Sequence, residues 1–306
     1  MTKVFIDGSA GTTGLRIYER LQDRKDLELL RLPEELRKDR DARHEMLNLA
    51  DIVFLCLPDD AARESAEMVE NVNTRVIDTS TAHRTNESWT YGFPEIRDNR
   101  ERIRDSRRIA NPGCHASGVI SLLAPLTESG IIKKDINLSC FSITGYSGGG
   151  KKMIAEYEEE NRDMLLDAPR MYGITQSHKH LPEIQKVCGL EKAPVFCPIV
   201  APFYSGMEVT IPLHKSDING NIEDVRRILR DYYKTGLVRY SEENENGFMS
   251  AHALSGRDDM EVSVCGNEDR IILVSRFDNL GKGASGSAIQ NMNIILGLDE
   301  KTGLNV

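Results

Sequence analysis

Short, uniformly apolar runs alternate with segments of helical periodicity from the N-terminus to about residue 110. This alternation limits the fold more than any other feature of the chain. "KVFIDG" (3–8), "LELLRL" (27–32), "DIVFLCLP" (51–58) and "TRVIDTS" (74–80) read as strands. "TTGLRIYERLQDR" (12–24) places Leu15, Ile17, Tyr18 and Leu21 near helical spacing. "RKDRDARHEMLNLA" (37–50) and "DDAARESAEMVEN" (59–71) read as further helices, the latter opening on aspartate caps. A strand that is apolar along its whole length needs cover on both faces. Such strands, separated by amphipathic helices, predict an α/β region with a doubly wound parallel sheet.

The middle of the chain has a different texture. "INLSCFSITGYS" (136–147), "VFCPIVAPFYSGMEVTIPLH" (195–214), "MEVSVCGN" (260–267) and "DRIILVSRFDNL" (269–280) read as longer strands. Few helices separate them, chiefly "KKMIAEYEEENRDMLL" (151–166) and "NIEDVRRILRDYYKTG" (221–236). This segregation predicts an α+β domain with an open mixed sheet. The small-residue turn of "GASGSAIQNMNIILGL" (283–298) enters a last helix, and "SEENENG" (241–247) is a polar loop. A chain of 306 residues has room for two domains, each with its own core.

The net charge of −9 opposes broad contact with nucleic acid or with an anionic membrane surface. No run reaches the roughly 18 apolar residues of a membrane-spanning helix. "MTKVFIDGSAG" lacks the apolar core and cleavage site of a signal peptide, so the expected location is the cytoplasm. The six cysteines (Cys56, Cys114, Cys140, Cys188, Cys197 and Cys265) make no C-x-x-C pair and no zinc-ligand spacing, so no metal is expected. In a reducing compartment they are expected as thiols. All but Cys114 read as small buried residues in strand-like runs or near a helix end.

"DGSAGTTG" spaces Gly8, Gly11 and Gly14 as G-x-x-G-x-x-G, directly between the first strand and the first helix. Glycines there let backbone approach a pyrophosphate, the helix N-terminus offers N–H groups and a positive dipole end, and Thr12 and Thr13 add hydroxyl donors. A tight turn without a ligand is the plainer alternative. An NAD site usually carries an acid at the end of the second strand, against the ribose 2′-hydroxyl. Here Arg31 falls near that end, with Arg37, Lys38 and Arg40 beyond, which favours the 2′-phosphate of NADP. Glu34 and Glu35 leave a ribose contact open.

Asn111-Pro112-Gly113 is turn chemistry, and the chain then runs through "GVISLLAPL" with helical length and an apolar face. Cys114 therefore lies at or near a helix N-terminus, where the dipole and free N–H groups stabilise a thiolate. Position alone leaves both a nucleophile and a core thiol open. A nucleophile needs a proton-transfer partner. "QSHKHLPEIQKV" offers His178 and His180 ahead of Pro182, a residue suited to a first helical turn. Exposed loop histidines are the alternative. His83 and His115 stay open as candidates, whereas His44, His214 and His252 read as structural.

A dinucleotide-type glycine loop with a helix-opening cysteine is the combination of an aldehyde- or acyl-phosphate-handling dehydrogenase. The segments "FIDGSAGTTGLRI", "DTSTAHR", "YGFPEI", "IANPGCHASGVISLLAPL", "ITGYSGGGKK", "HKHLPEI" and "NLGKGASGSAIQNMN" follow one another from 5 to 293. Together they resemble the short form of the N-acetyl-γ-glutamyl-phosphate reductases of arginine biosynthesis, in the semialdehyde dehydrogenase superfamily. The resemblance implies a Rossmann-type NADP-binding domain over 1–113 and 282–306. It also implies an inserted catalytic and oligomerisation domain over 114–281. It makes Cys114 the nucleophile and His180 the acid/base, with His178 as the alternative or a substrate contact. It places Ser80, Asn279 and Gly283 by the cofactor and Arg84 by the substrate. Gly148 and Lys151 (or Lys152) belong to a glycine loop that would meet the leaving phosphate. A helix-start solvent face is the alternative for the lysines, and a surface salt bridge for Arg84. The implied partners are a small acyl phosphate or semialdehyde, phosphate, and further copies of the chain as a dimer or tetramer. Two other readings remain. One is a reductase of another acyl phosphate, aspartyl or carrier-bound α-aminoadipyl; the other is a catalytically silent NADP-binding sensor.

Overall fold

The apolar runs near the N-terminus form the interior of a parallel sheet. The computed structural model describes residues 1–306. One unit comprises Met1–Gly113 and Ala284–Leu304; the other comprises Cys114–Gly283 and Asn305–Val306.

In the first unit β1 (Thr2–Asp7), α1 (Thr12–Leu21), β2 (Leu27–Leu30), α2 (Arg40–Leu49), β3 (Ile52–Leu55), α3 (Asp59–Met68) and β4 (Arg75–Asp78) follow one another. Then come β5 (Thr90–Tyr91), α4 (Asn99–Asp105) and β6 (Arg108–Ala110). The sheet order is β2-β1-β3-β4-β6-β5, and every neighbouring pair is parallel. Alternate residues enter opposite cores: Val4, Ile6, Ile52 and Phe54 join one, Phe5, Val53 and Leu55 the other. This is the period of two that a strand buried on both faces requires. Ala288, Ile289 and Met292 of the helix Gly286–Ile295 fill the first of these cores. At the end of β1, Asp7 is buried and paired with Arg43 of α2 at 3.0 Å, and Ser65 of α3 donates to the same carboxylate at 2.8 Å.

The second unit contains α5 (Cys114–Glu128), β7 (Ser139–Gly145), α6 (Gly150–Glu158), β8 (Arg170–Met171), α7 (Leu181–Cys188) and β9 (Val195–Ala201). It continues with β10 (Met207–His214), α8 (Ile222–Tyr232), β11 (Val238–Tyr240), β12 (Met260–Gly266) and β13 (Arg270–Phe277). Its mixed sheet has the order β11-β12-β13-β10-β7-β9-β8. Helix α5 lies against β10 and β13, with α7 and α8 beside it. A Cβ placed on Gly118 would lie 2.4 Å from Val209 Cγ2, so glycine allows this close approach. The other side of the sheet leaves Phe141, Val195 and Ile272 exposed.

Several local expectations shift. Helix α5 is buried from His115 to Thr127, not on one face only. Asp39 accepts from Ala42 N at 2.8 Å and so starts α2 three residues later than the periodicity indicates. The run 195–214 is two strands, β9 and β10. The turn between them contains Gly206 at φ 125, where a Cβ would lie 2.4 Å from Ala251 O. The helix expected over 151–166 ends at Glu158. The short strands β5 and β6 carry too few apolar residues to stand out in the sequence.

Candidate active site

The glycine loop of the first unit divides its glycines by task. Gly8 has φ +90, and a Cβ there would lie 2.3 Å from Cys56 O; one on Gly14 would lie 2.5 Å from Gly8 O. The fold itself requires both. Gly11 is different. It has φ −74, and its Cβ would meet only Gly8 O at 3.4 Å and Cys56 O at 3.7 Å, ordinary contacts. Gly11 is also the N-cap of α1 and supplies no side-chain cap, and no acid lies in the first turn. An uncapped helix start free of negative charge, behind a residue whose missing side chain the packing does not demand, fits a pyrophosphate. Thr12 and Thr13 open that helix.

Arg31 follows β2 by one residue, is exposed, and holds its guanidinium 4.6 Å above the Tyr18 ring. Glu34 pairs with Arg37 at 2.5 Å. In the segment after β4, Ser80 donates through N and Oγ to the buried Asp78 carboxylate at 2.9 and 2.8 Å. His83 Nδ1 lies 2.6 Å from the same carboxylate, and its ring stacks on Trp89 at 4.0 Å. Arg84 is buried; its Nε donates to Asn111 O and its Nη2 to Thr79 O, both at 2.9 Å. Asn111 N in turn donates to Asp78 O, and its side-chain amide to Ala284 O. The turn that precedes Cys114 is thus held from several directions.

In the second unit Cys114 is the first residue of α5 and is half-buried. A Cβ on Gly283 would come within 3.0 Å of Cys114 Cβ. The next residue, His115, is buried among rings: those of His178 at 5.5 Å, His180 at 5.7 Å and Phe196 at 5.3 Å. His178 and His180 lie 4.8 Å apart. His180 is the N-cap of α7, and its N–H donates to His178 Nδ1 at 3.3 Å. Burial, then the neighbouring His178, pushes the His115 pKa down to about 3. Burial, then Lys179, lowers that of His178. Both imidazoles are therefore neutral near pH 7, and His115 is too weak a base to take up a proton there.

The remaining residues of interest do different work. Asn279 is buried, donates to Ser147 Oγ at 3.0 Å and accepts from Gly206 N at 2.9 Å; it braces the turn 146–149. Gly148 is exposed on that turn, and Lys151 and Lys152 are exposed on the first turn of α6. Burial of the sulfur pushes Cys56 up to about 12 and raises Cys140 and Cys265 as well, so these thiols stay protonated. No group of three or more His, Cys, Asp or Glu side chains is arranged to hold a metal ion. Tyr172 and Ser142 have no local signal in the sequence, yet both bond the His115 ring.

Two family models identify the chain as a semialdehyde dehydrogenase. Residues 114–279 match the family described as semialdehyde dehydrogenase, dimerisation domain, and residues 33–106 match its NAD binding domain. The same architecture occurs in aspartate semialdehyde dehydrogenase II from Vibrio cholerae, with TM-score 0.71 and 17% identity over 97% of this chain and 98% of that one. A probable aspartate-semialdehyde dehydrogenase from Pseudomonas aeruginosa gives TM-score 0.72 and 17% identity over 96% and 98%. At such identities the likeness establishes the fold alone. Two relatives named N-acetyl-gamma-glutamyl-phosphate reductase, from Brucella suis and Brucella ovis, are each 44% identical over 96% of this chain and 99% of their own length. The chain belongs to the N-acetyl-gamma-glutamyl-phosphate reductase family. No helix is long and apolar enough to cross a membrane.

Proposed function

We propose that the protein reduces N-acetyl-γ-glutamyl phosphate to N-acetylglutamate 5-semialdehyde with NADPH, a step of arginine biosynthesis, and that Cys114 is its nucleophile. The setting of Cys114 carries this reading: a cysteine opening a buried helix, with three imidazoles gathered at the same end. A helix N-terminus favours the thiolate, and the imidazole of His180 or His178 can take its proton.

The chain's own groups then divide the work. Cys114 attacks the acyl carbon, phosphate departs with the electrons of the broken C–O bond, and a thioester forms on the sulfur. Gly148 and the exposed Lys151 or Lys152 receive the phosphate. When bound, a dihydronicotinamide would supply the hydride. His180 gives a proton to the developing alkoxide and takes it back as the tetrahedral adduct collapses, with His178 oriented by the His180 N–H. Backbone N–H groups at the start of α5 hold the oxyanion. Gly8, Gly11, Thr12, Thr13 and Gly14 would hold the pyrophosphate, and Arg31 the 2′-phosphate of NADP. Ser80, Asn279 and Gly283 border the nicotinamide. Arg84 lies by the substrate, and its Nε and Nη2 also fix the turn before Cys114 through Asn111 O and Thr79 O.

A second copy of the chain covers the open side of the mixed sheet in a homo-oligomer built from dimers. The exposed Phe141, Val195 and Ile272 and the match to a dimerisation domain support this.

A spectrophotometric assay with N-acetylglutamate 5-semialdehyde, phosphate and either NADP or NAD tests the reading. Phosphate-dependent reduction of NADP is the expected result. Turnover with aspartate semialdehyde and none with the N-acetyl substrate would replace it.

A further inference from the structure

Asp278 directly follows β13, is fully buried, and has no part in the reaction above. Its carboxylate nonetheless gathers four donors from three places in the second unit. Oδ1 accepts from Leu280 N at 2.7 Å and from Gly281 N at 2.8 Å. Oδ2 accepts from Gly256 N at 2.6 Å and from Ser205 Oγ at 2.7 Å. The backbone carbonyl of Asp278 takes Gly283 N at 3.0 Å. Each carboxylate oxygen accepts twice, so an amide cannot stand in: its NH2 group would face donors and leave them unpaired.

These bonds have one geometrical result. Those from Leu280, Gly281 and Gly283 fold the chain back over 278–283, into the π-helical turn Gly281–Ser285. Those from Gly256 and Ser205 fasten that fold to two other loops, and both loops are held in turn. Gly256 O accepts from Asn305 Nδ2 at 2.9 Å, Asp258 N donates to Asn305 O at 2.7 Å, and Asn305 N donates to Asp258 Oδ2 at 2.9 Å. Gly206, next to Ser205, donates through N to Asn279 Oδ1 at 2.9 Å. At the far end of the fold Gly283 packs against the nucleophile. A Cβ there would lie 3.0 Å from Cys114 Cβ and 3.2 Å from Phe277 Cε2, so the Gly283 backbone forms a wall behind the Cys114 side chain.

We propose that Asp278 is a positioning residue for the nucleophile: it holds the 278–283 fold against Cys114 and so limits the directions in which the sulfur can swing. With the wall in place, the sulfur keeps to the orientation that reaches the acyl carbon. With the wall loosened, the sulfur divides its time among orientations, and the rate falls although no group that touches the substrate has changed. The proposal rests on Cys114 as the nucleophile, but the freedom of its sulfur can be measured without any substrate.

The test compares the wild type with Asp278→Asn, which keeps the shape and loses an acceptor. The rate of iodoacetamide alkylation is read by mass spectrometry on the peptide of Cys114 and on those of the buried Cys140 and Cys188 of the same unit. In the variant Cys114 is expected to react faster, while Cys140 and Cys188 stay as protected as in the wild type. The kcat per folded molecule should fall roughly ten- to hundredfold with KM for the semialdehyde unchanged, the scale of a small misplacement of a reacting atom. Ser205→Ala removes one of the four donors and should move both readouts the same way by less; it carries the test alone if Asp278→Asn does not fold. An unmoved Cys114 rate overturns the proposal, as does a faster Cys114 with an unchanged kcat. A joint rise of all three cysteines also overturns it, because that marks a general loosening of the unit. A wild type that turns over no N-acetylated substrate sinks the reductase reading, and the alkylation rates then decide by themselves whether Asp278 holds the wall. Normal wild-type turnover with an unmoved Cys114 rate does the reverse.

Discussion

The Tyr233 hydroxyl donates to Ser121 O at 2.7 Å, across the interface between the end of α8 and the middle of α5. Ser121 is four residues before Pro125, which lies inside α5 and has no N–H to give. Tyr233 replaces the helical hydrogen bond that proline removes. Replacing it, Tyr233→Phe, leaves a buried carbonyl without this donor and should cost roughly 1–3 kcal/mol. In a Pro125→Ala background, alanine restores the donor and the same change should cost much less. Urea unfolding of the four proteins of this cycle checks the coupling.

The glycine loop separates folding from binding. Gly8→Ala should destabilise the first unit, because φ +90 and a Cβ 2.3 Å from Cys56 O are both unfavourable. Gly11→Ala should leave the melting temperature nearly unchanged while weakening NADPH binding about tenfold, or ~1.4 kcal/mol. Thermal melting and fluorescence titration, run side by side, distinguish the two glycines. Equal effects on both readouts would show that the Gly11 site binds nothing.

Arg31→Ala should raise Kd for NADPH by about tenfold or more and leave that for NADH within about twofold, since only the former carries the 2′-phosphate. Equal losses for both cofactors would assign Arg31 to packing on Tyr18 instead.

Much of this was legible in the sequence because the signals are local. Apolar runs such as "DIVFLCLP" need cover on both faces whatever surrounds them, and they form β1 to β4. The turn before Cys114 and the helix after it lie within one stretch of chain. Tyr172 was not legible, because it meets His115 across 57 positions through a loop whose path depends on Gln176 and β9. Arg84 reads as a ligand-binding cation, but its bonds to Asn111 O and Thr79 O depend on where two strand ends meet.

Acid should destabilise the second unit through His115. Its folded pKa, about 3, lies below the unfolded value near 6.5, so the unfolded chain binds the proton first. Stability is full above about pH 6.5 and falls by about 1.4 kcal/mol per unit as pH drops towards 3. The lowered pKa of His178 acts in the same direction. Urea unfolding at several pH values should show this slope in the wild type and a shallower one in His115→Gln. Parallel slopes would mean that His115 is already protonated in the folded protein.

The central claim is that Cys114 carries the acyl group. The most direct measurement is phosphate-dependent oxidation of N-acetylglutamate 5-semialdehyde by Cys114→Ser, with NADP binding titrated on the same preparation. The account predicts loss of turnover by about a thousandfold or more, ~4 kcal/mol in the barrier, with NADP affinity unchanged. Retention of most of the wild-type rate would contradict it.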